Sequence, residues 1–391
     1  MSSPLQDPEF LRNPYPTYAA LRSTGPVQKL PSAGGRSGYL VTGYAEAREA
    51  FADSRLSKDT KRFFAGQDTG RNLHPAVSQS MLATDPPDHT RLRRLVTSAF
   101  TPGAVARLLP YIAAVTDSLL DTWVPGEQVD VIESLAVPLP VTVICQLLGV
   151  PEHDRAAVRA WSNDLFAAGQ PTLVDAASHE VADYMSGLIA AKRRALDDSL
   201  LADLIRVRDG EDRLSEDELV SLAVLLLVAG HETTTNLIGN GLLALLQAPG
   251  SLQRLRAEPG LVESAVDELL RYDSPVSTAT FRFATETLVI GSTEIPAGAP
   301  VFIAPGAANR DPARFPDPDR LDLDRDAKGH LAFGHGIHRC LGAPLARAEA
   351  AIALRAVAHR FPHLRLAVPS AELEWQHTRL MRGVQSLPTI P

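Results

Sequence analysis

Cysteine is nearly missing from this chain: among 391 residues only Cys145 and Cys340 carry a thiol. Two thiols cannot hold an iron–sulfur cluster, and they imply no disulfide framework, so a reducing cytosol is the expected compartment. Positive charge is also in deficit. With 38 Lys and Arg against 46 Asp and Glu, the net charge of -8 argues against a nucleic-acid footprint. Long hydrophobic runs are absent too. The longest, Leu219 to Gly230, is interrupted by Ser221, is too short to span a bilayer and ends in His231 and Glu232. The first 21 residues, MSSPLQDPEFLRNPYPTYAAL, hold acids and prolines where a signal peptide holds an apolar run, so no membrane partner is expected. No repeat of 20 to 50 residues, low-complexity tract or flavin motif is visible.

What is present suits a large core, since 45% of the residues are hydrophobic. Length alone suggests two or three domains, yet nothing reads as a linker, and one domain over residues 1–391 is expected. The most informative stretch is Phe333 to Gly342. Gly334 and Gly336 permit turns that a side chain forbids, and Pro344 opens a helix over Leu345 to Val357. Cys340 is thereby held at a helix N-terminus, where partial positive charge and free amide donors favour a thiolate able to bind a metal. The alternative is an inert buried cysteine.

The string FGHGIHRCLGAPLAR resembles the haem-binding loop of the cytochrome P450 monooxygenases, matching F-G-x-G-x-H-x-C-x-G at every specified position. The resemblance implies haem b with Cys340 as its thiolate ligand, a mainly α fold with a small β region, and a haem sandwiched between two helices. It places the chain with the soluble, cytoplasmic bacterial branch. Thiolate ligation favours O–O cleavage, so the expected activity is insertion of one oxygen atom from O2 into a C–H bond, by hydroxylation or epoxidation.

Other segments extend the likeness. Tyr15 to Leu21 and Ala45 to Ala52 read as helices, and Val27 to Leu30 and Tyr39 to Val41 as strands around a turn at Ala33 to Arg36. Residues 61–80 lack a period and read as a loop, which the resemblance makes a lid over the substrate. In DPPDHTRLRR, Asp88 is a candidate cap, and His89 and Arg93 lie four apart on one helical face. Such a pair grips an anion or forms a solvated basic face; the resemblance implies that it binds haem propionates, together with Arg282 and His338. From Val105 to Val207 the period is helical, with breaks at Pro125 and around Gly169 to Pro171. The resemblance makes residues 167–175 a roof loop. Cys145, in VTVICQLLGV, reads as core.

Ser215 to Gln247 is the clearest helix, roughly 50 Å long at 1.5 Å per residue. Ser215 and Glu218 form a capping box, Leu214 and Leu219 a staple, and Ala248 to Gly250 a stop. Its middle, AGHETTT, puts a glycine and three β-branched residues where good helix formers belong, at a cost on the order of 2 kcal/mol. Rules broken inside a strongly specified element point to function. A bond from Thr233 to the carbonyl of Ala229 would open the helix into a groove. The resemblance implies that Glu232 and Thr233 are the acid and alcohol that handle protons during oxygen activation.

Glu268 and Arg271 share a helical face, and with Arg320 they resemble the family's E-x-x-R and P-E-R-F elements, which lock the fold around the cysteine loop. ANRDP at 308–312 also matches. Substrate-pocket positions carried over are Leu225, Val228, Ala229, Ser277, Thr278, Leu380 and Met381. All are uncharged, so a large hydrophobic substrate is expected, and the resemblance of AGHETT and DPPDHTRLRR to enzymes of actinobacterial secondary metabolism implies a macrolide or other polyketide, a terpenoid or a steroid. Electrons are expected from a ferredoxin and its reductase, fed by NAD(P)H, with Arg91, Arg94 and Arg339 as the docking patch. Three readings compete: a haem-thiolate sensor or electron carrier, which needs neither Glu232 nor Thr233; a peroxide-driven haem enzyme, whose resemblance to this family comes with the Glu and Thr pair replaced, whereas here it is intact; and a zinc hydrolase built on His335, His338 and Cys340.

Overall fold

The computed structural model describes residues 8–391 apart from 31–36, 68, 69, 168, 209–213, 281, 377 and 379. It is 57% helical, which makes the fold mainly α. The helices begin with α1 (Pro8–Arg12), α2 (Tyr15–Thr24), α3 (Tyr44–Ala52), α4 (Thr60–Phe63), α5 (Pro75–Ser78), α6 (Asp88–Thr97) and α7 (Pro102–Leu120). They continue with α8 (Pro138–Leu148), α9 (Arg155–Leu165), α10 (Pro171–Arg194), α11 (Leu200–Arg208), α12 (Glu216–Gln247), α13 (Ser251–Ala257), α14 (Val262–Tyr272), α15 (Pro305–Ala308) and α16 (Ala343–Arg360). The strands are β1 (Val27–Leu30), β2 (Gly38–Val41), β3 (Leu56–Ser57), β4 (Val129–Asp130), β5 (Arg282–Ala284), β6 (Leu288–Ile290), β7 (Thr293–Ile295), β8 (Pro300–Ile303), β9 (Arg365–Leu366) and β10 (Pro388–Ile390).

The chain divides into two compact units, and neither is continuous: residues 1–57, 112–137 and 233–391 form the first, 58–111 and 138–232 the second. The first holds all three sheets, of which the largest has strand order β1-β2-β8-β5-β3. β1 and β2 pair antiparallel, Val27 opposite Val41, as the sequence suggests, although the connecting turn lies outside the described residues. β8 then runs parallel to β2 and antiparallel to β5. Every residue of β2 is buried. Because strand side chains alternate, Tyr39 and Val41 enter one core with Ala47, Phe51 and Ile303, while Leu40 enters another with Phe10 and Tyr18. Before β5 the chain makes an isolated bridge, Val276 to Met381.

In the second unit, Trp161 of α9 packs on Tyr184 of α10 with ring centroids 5.1 Å apart. Cys145 is fully buried in α8. Residues 61–80 are more regular than expected, because Asp59 caps α4 and His74 caps α5 through side-chain acceptors. The break expected at 167–175 closes early, since Pro171 starts α10 from its first turn. Asp88 begins α6 as a helical residue and makes no cap bond.

Among the described residues two helices, α7 and α12, are long and apolar enough to cross a membrane by length and composition. The apolar run of α12 is thus longer as a helix than as an uninterrupted stretch. In its most apolar window 67% of the residues are buried inside the protein, so this surface is used in packing.

Candidate active site

The cysteine loop owes its path to two residues without side chains. Gly334 and Gly336 adopt φ of +69° and +74°, and a Cβ on Gly336 would stand 2.7 Å from the Phe51 carbonyl oxygen. A single 3-10 turn, Gly336–His338, follows, and the Cys340 N–H donates to the Phe333 carbonyl at 2.8 Å. α16 starts three residues later with Pro344 in its first turn and no side-chain cap, so its amide donors stay available on the side where the sulfur lies. The two thiols differ accordingly. Cys340 is exposed, whereas burial pushes the Cys145 thiol up to about 11.

Near this loop Arg282 is buried in β5, with its guanidinium 5.0 Å from the centroid of the Phe51 ring. His338 lies in the 3-10 turn, half-buried. His89 and Arg93 belong to α6 in the other unit and do share a face. Burial, and then the Arg93 charge, hold the His89 imidazole below its usual pKa, so it is neutral at neutral pH.

Along α12 the capping box forms as expected: the Ser215 N–H donates to Glu218 at 2.9 Å, and the Glu218 N–H to the Ser215 hydroxyl at 3.1 Å. The middle of this helix is mostly buried, but among its residues other than glycine Leu225, Val228, Ala229, Glu232 and Thr233 are not. Their spacing, three and four residues, is one helical face. An acid and an alcohol therefore stand at the end of an apolar stripe left open in a core helix. Burial raises the Glu232 carboxyl, against the pull of Arg159. The helix stays α throughout, so the expected opening between Ala229 and Thr233 does not appear as a break. Gly230 serves close packing, because a Cβ there would lie 2.8 Å from Ile144 Cδ1.

The lock around the loop is built differently from expectation. Glu268 and Arg271 are both fully buried and joined by bonds of 2.6 and 2.8 Å. Arg271 also donates to the carbonyls of Asn309 (3.1 Å), Pro318 (2.8 Å) and Arg320 (3.3 Å). The Arg320 side chain is not part of this: it is 69% exposed and pairs with Asp322 at 2.7 Å. Arg271, which has only donors, draws carbonyl oxygens inward, and the Arg320 side chain points out. Arg325 supplies the third group, its Nε 3.3 Å from Glu268 Oε1, and no pattern in the sequence marked it.

ANRDP acquires roles as well. Asn309 accepts the Leu331 N–H at 2.6 Å and donates to Ser274 at 2.9 Å, while Arg310 is sandwiched between the rings of Tyr15 and Tyr272 at 4.0 and 3.9 Å.

Of the other pocket positions, Ser277 and Leu380 meet through a backbone bond of 2.9 Å. Ser277 and Met381 are buried, however, with the Ser277 hydroxyl engaged with the Tyr18 hydroxyl at 3.0 Å, and the space they line is a small cleft shared with Phe10, Trp375 and Arg382. Thr278 and Leu380 remain partly open. Arg91 of the expected docking patch is paired with Glu218. Among the described residues no group of three or more His, Cys, Asp or Glu could hold a metal ion, which removes the basis of the zinc reading of His335, His338 and Cys340.

An exposed thiol at a helix N-terminus, beside a glycine cradle, is what a haem-thiolate protein requires. A family-wide profile described as Cytochrome P450 matches residues 163–372. The chain belongs to the cytochrome P450 family and is a haem-thiolate monooxygenase. It is 46% identical to the cytochrome P450 monooxygenase PikC of Streptomyces venezuelae, over 97% of this chain and 91% of that one. It is 41% identical to the 6-deoxyerythronolide B hydroxylase of Saccharopolyspora erythraea, over 98% and 97%. Among solved structures, that of the tirandamycin C-bound P450 monooxygenase TamI superposes with a TM-score of 0.91 at 45% identity, covering 98% of each chain.

Proposed function

We propose that this monooxygenase oxidises a large, uncharged natural product of the macrolide or polyketide type, with the two units acting as one catalytic domain. The observation that carries this reading is the open stripe of α12. Leu225, Val228 and Ala229 offer an apolar surface without charge, and Glu232 and Thr233 close it with one acid and one hydroxyl. The named activities of the relatives support the same substrate class.

Cys340 would hold the haem iron through its thiolate, because the only other thiol is sealed in α8. Arg282, His338, His89 and Arg93 would hold the propionates, cations and polar hydrogens being the natural partners of carboxylates. When bound, the haem supplies oxygen activation, which thiolate ligation favours. Glu232, with its carboxyl raised by burial, retains a proton closer to neutrality than a surface acid would, and passes it to Thr233 beside it. The apolar residues of the stripe orient the substrate and exclude water. Glu268, Arg271 and Arg325 take no part in the chemistry and hold the cysteine loop in place. Electrons come from a ferredoxin and its NAD(P)H-dependent reductase in the cytosol.

The test is a titration of the holoenzyme with macrolides, linear polyketides, terpenoids and fatty acids, read as a spin-state change in the haem spectrum. Hits are then turned over with a ferredoxin and reductase under 18O2. Spin shifts with macrolides or polyketides and one 18O in the product support the reading. Shifts only with fatty acids, or product without label, overturn it.

A further inference from the structure

A second charged cluster lies beside the cysteine loop. Asp267 of α14, next in the chain to Glu268, accepts from Arg347 Nε at 2.7 Å and lies 3.3 Å from His330 Nε2. Arg347 Nη2 stands 3.4 Å from the same His330 nitrogen. Because His330 Nδ1 accepts the Ala332 N–H at 3.2 Å, the ring proton sits on Nε2 and points at Asp267, and the Arg347 contact is an approach of two donors. Burial lowers the pKa of His330, against the pull of Asp267, so it is neutral at neutral pH. Asp267 is pushed up by its partial burial, but its bonds to His330 and Arg347 outweigh this and leave it below the usual carboxylate range.

Two of these side chains pack on one ring, and Asp267 holds both. The Arg347 guanidinium lies 4.7 Å from the centroid of Phe333, and the His330 ring packs on Phe333 with centroids 5.6 Å apart. Phe333 is also the residue whose carbonyl accepts the Cys340 N–H. As an ion pair the cluster stabilises the fold little, because the side chains of Arg347 and Asp267 are 32% and 21% exposed and water screens them. As geometry it matters more. Gly334 beyond Phe333 is a flexible joint, so the direction of the Phe333 carbonyl depends on whatever holds its ring.

We infer that Arg347, seated on Asp267 and stacked on Phe333, is a positioning residue that sets the orientation of Cys340 and thereby the reduction potential of the haem. The inference rests on Cys340 as the axial ligand. Freed from the clamp, Phe333 turns, the Cys340 amide bond lengthens and the sulfur is held less firmly toward the iron. Weaker thiolate donation favours the ferrous state, so the potential rises. Loss of the Arg347 charge alone acts in the opposite direction, because a cation near the iron also favours the ferrous state.

The experiment measures the midpoint potential and the reduced carbon-monoxide spectrum of holoenzyme carrying Arg347→Gln, Arg347→Lys and Phe333→Leu, singly and with Phe333→Leu combined with Arg347→Gln. Arg347→Gln is expected to shift the one-electron equilibrium toward ferrous about tenfold, a rise of about 59 mV, and to move part of the carbon-monoxide band off the thiolate position. Arg347→Lys restores part of both, and in the Phe333→Leu background Arg347→Gln adds less than a third of its single effect. A potential that falls or stays unchanged, or shifts that simply add in the double variant, overturns the inference. If Arg347→Gln loses its haem, the same two readings on Arg347→Lys decide, an unchanged potential and band refuting it. Failure of the underlying reading looks different: Cys340→Ser would then keep a thiolate-type spectrum whatever stands at 347.

Discussion

The cysteine loop and the middle of α12 reach their function by opposite means. The loop has almost no regular structure, one 3-10 turn between Phe333 and Gly342, and the chain leading into it is tied through the Leu331 N–H to Asn309, whose carbonyl accepts in turn from the buried Arg271. α12 is regular for 32 residues and takes its rigidity from its own hydrogen bonds and a packed surface, leaving one stripe uncovered. A ligand that must point one way needs an irregular backbone held from outside, whereas a surface that must accept a large apolar molecule needs only an uncovered face on a rigid rod. The difference predicts that damage behind the loop costs structure, while damage on the stripe costs chemistry.

Four measurements test that contrast, beginning with the largest effect. Cys340→Ser should abolish the thiolate spectrum entirely, whereas Cys145→Ser, in the apolar packing of α8, should keep it; pigment retained in the first would erase the contrast between the two thiols. Glu268→Ala strands the Arg271 cation in the core and should cost about 3–5 kcal/mol in urea unfolding of the holoenzyme, with loss of haem. A cost below 1 kcal/mol would mean that the loop does not depend on charge behind it.

The third concerns acid stability. Burial pushes the buried His231 imidazole down to about 4, against the bond its Nδ1 makes to the Leu227 carbonyl at 2.9 Å. A folded-state pKa below the unfolded value of about 6.5 contributes stability that is complete above pH 6.5 and lost as pH falls toward 4. His231→Phe should remove on the order of 3 kcal/mol from this acid limb, seen as a smaller loss of urea midpoint between pH 7 and pH 4. An unaltered pH dependence would show that α12 opens to water at this point.

Last, Glu232→Gln should lower product formation on the order of 100-fold while leaving substrate spin-state titration and unfolding midpoint unchanged. A fall in stability of the same size as the fall in turnover would make the stripe ordinary core.

Much of this site is legible in the sequence because its signals are local. Gly334, Gly336 and Pro344 dictate a turn and a helix start within ten residues, and AGHETTT announces its oddity against the helical period on either side. The lock behind the loop is not local. Arg320 resembled the expected partner of Glu268, but Arg325, five residues on, supplies the side chain, because only the folded chain decides which guanidinium turns toward a buried carboxylate and which turns to water. The same reason hid the contact of Asp267 with His330 and Arg347, which lie more than sixty residues further on in the chain.

By itself the sequence determined the chemistry: which thiol stands at a helix N-terminus, which helix carries an acid and an alcohol, and that few charges line the face before them. Only the tertiary structure decided how these are held. Helix period and turn preference act over a few residues, whereas the pairing of a buried charge depends on which distant segments arrive beside it.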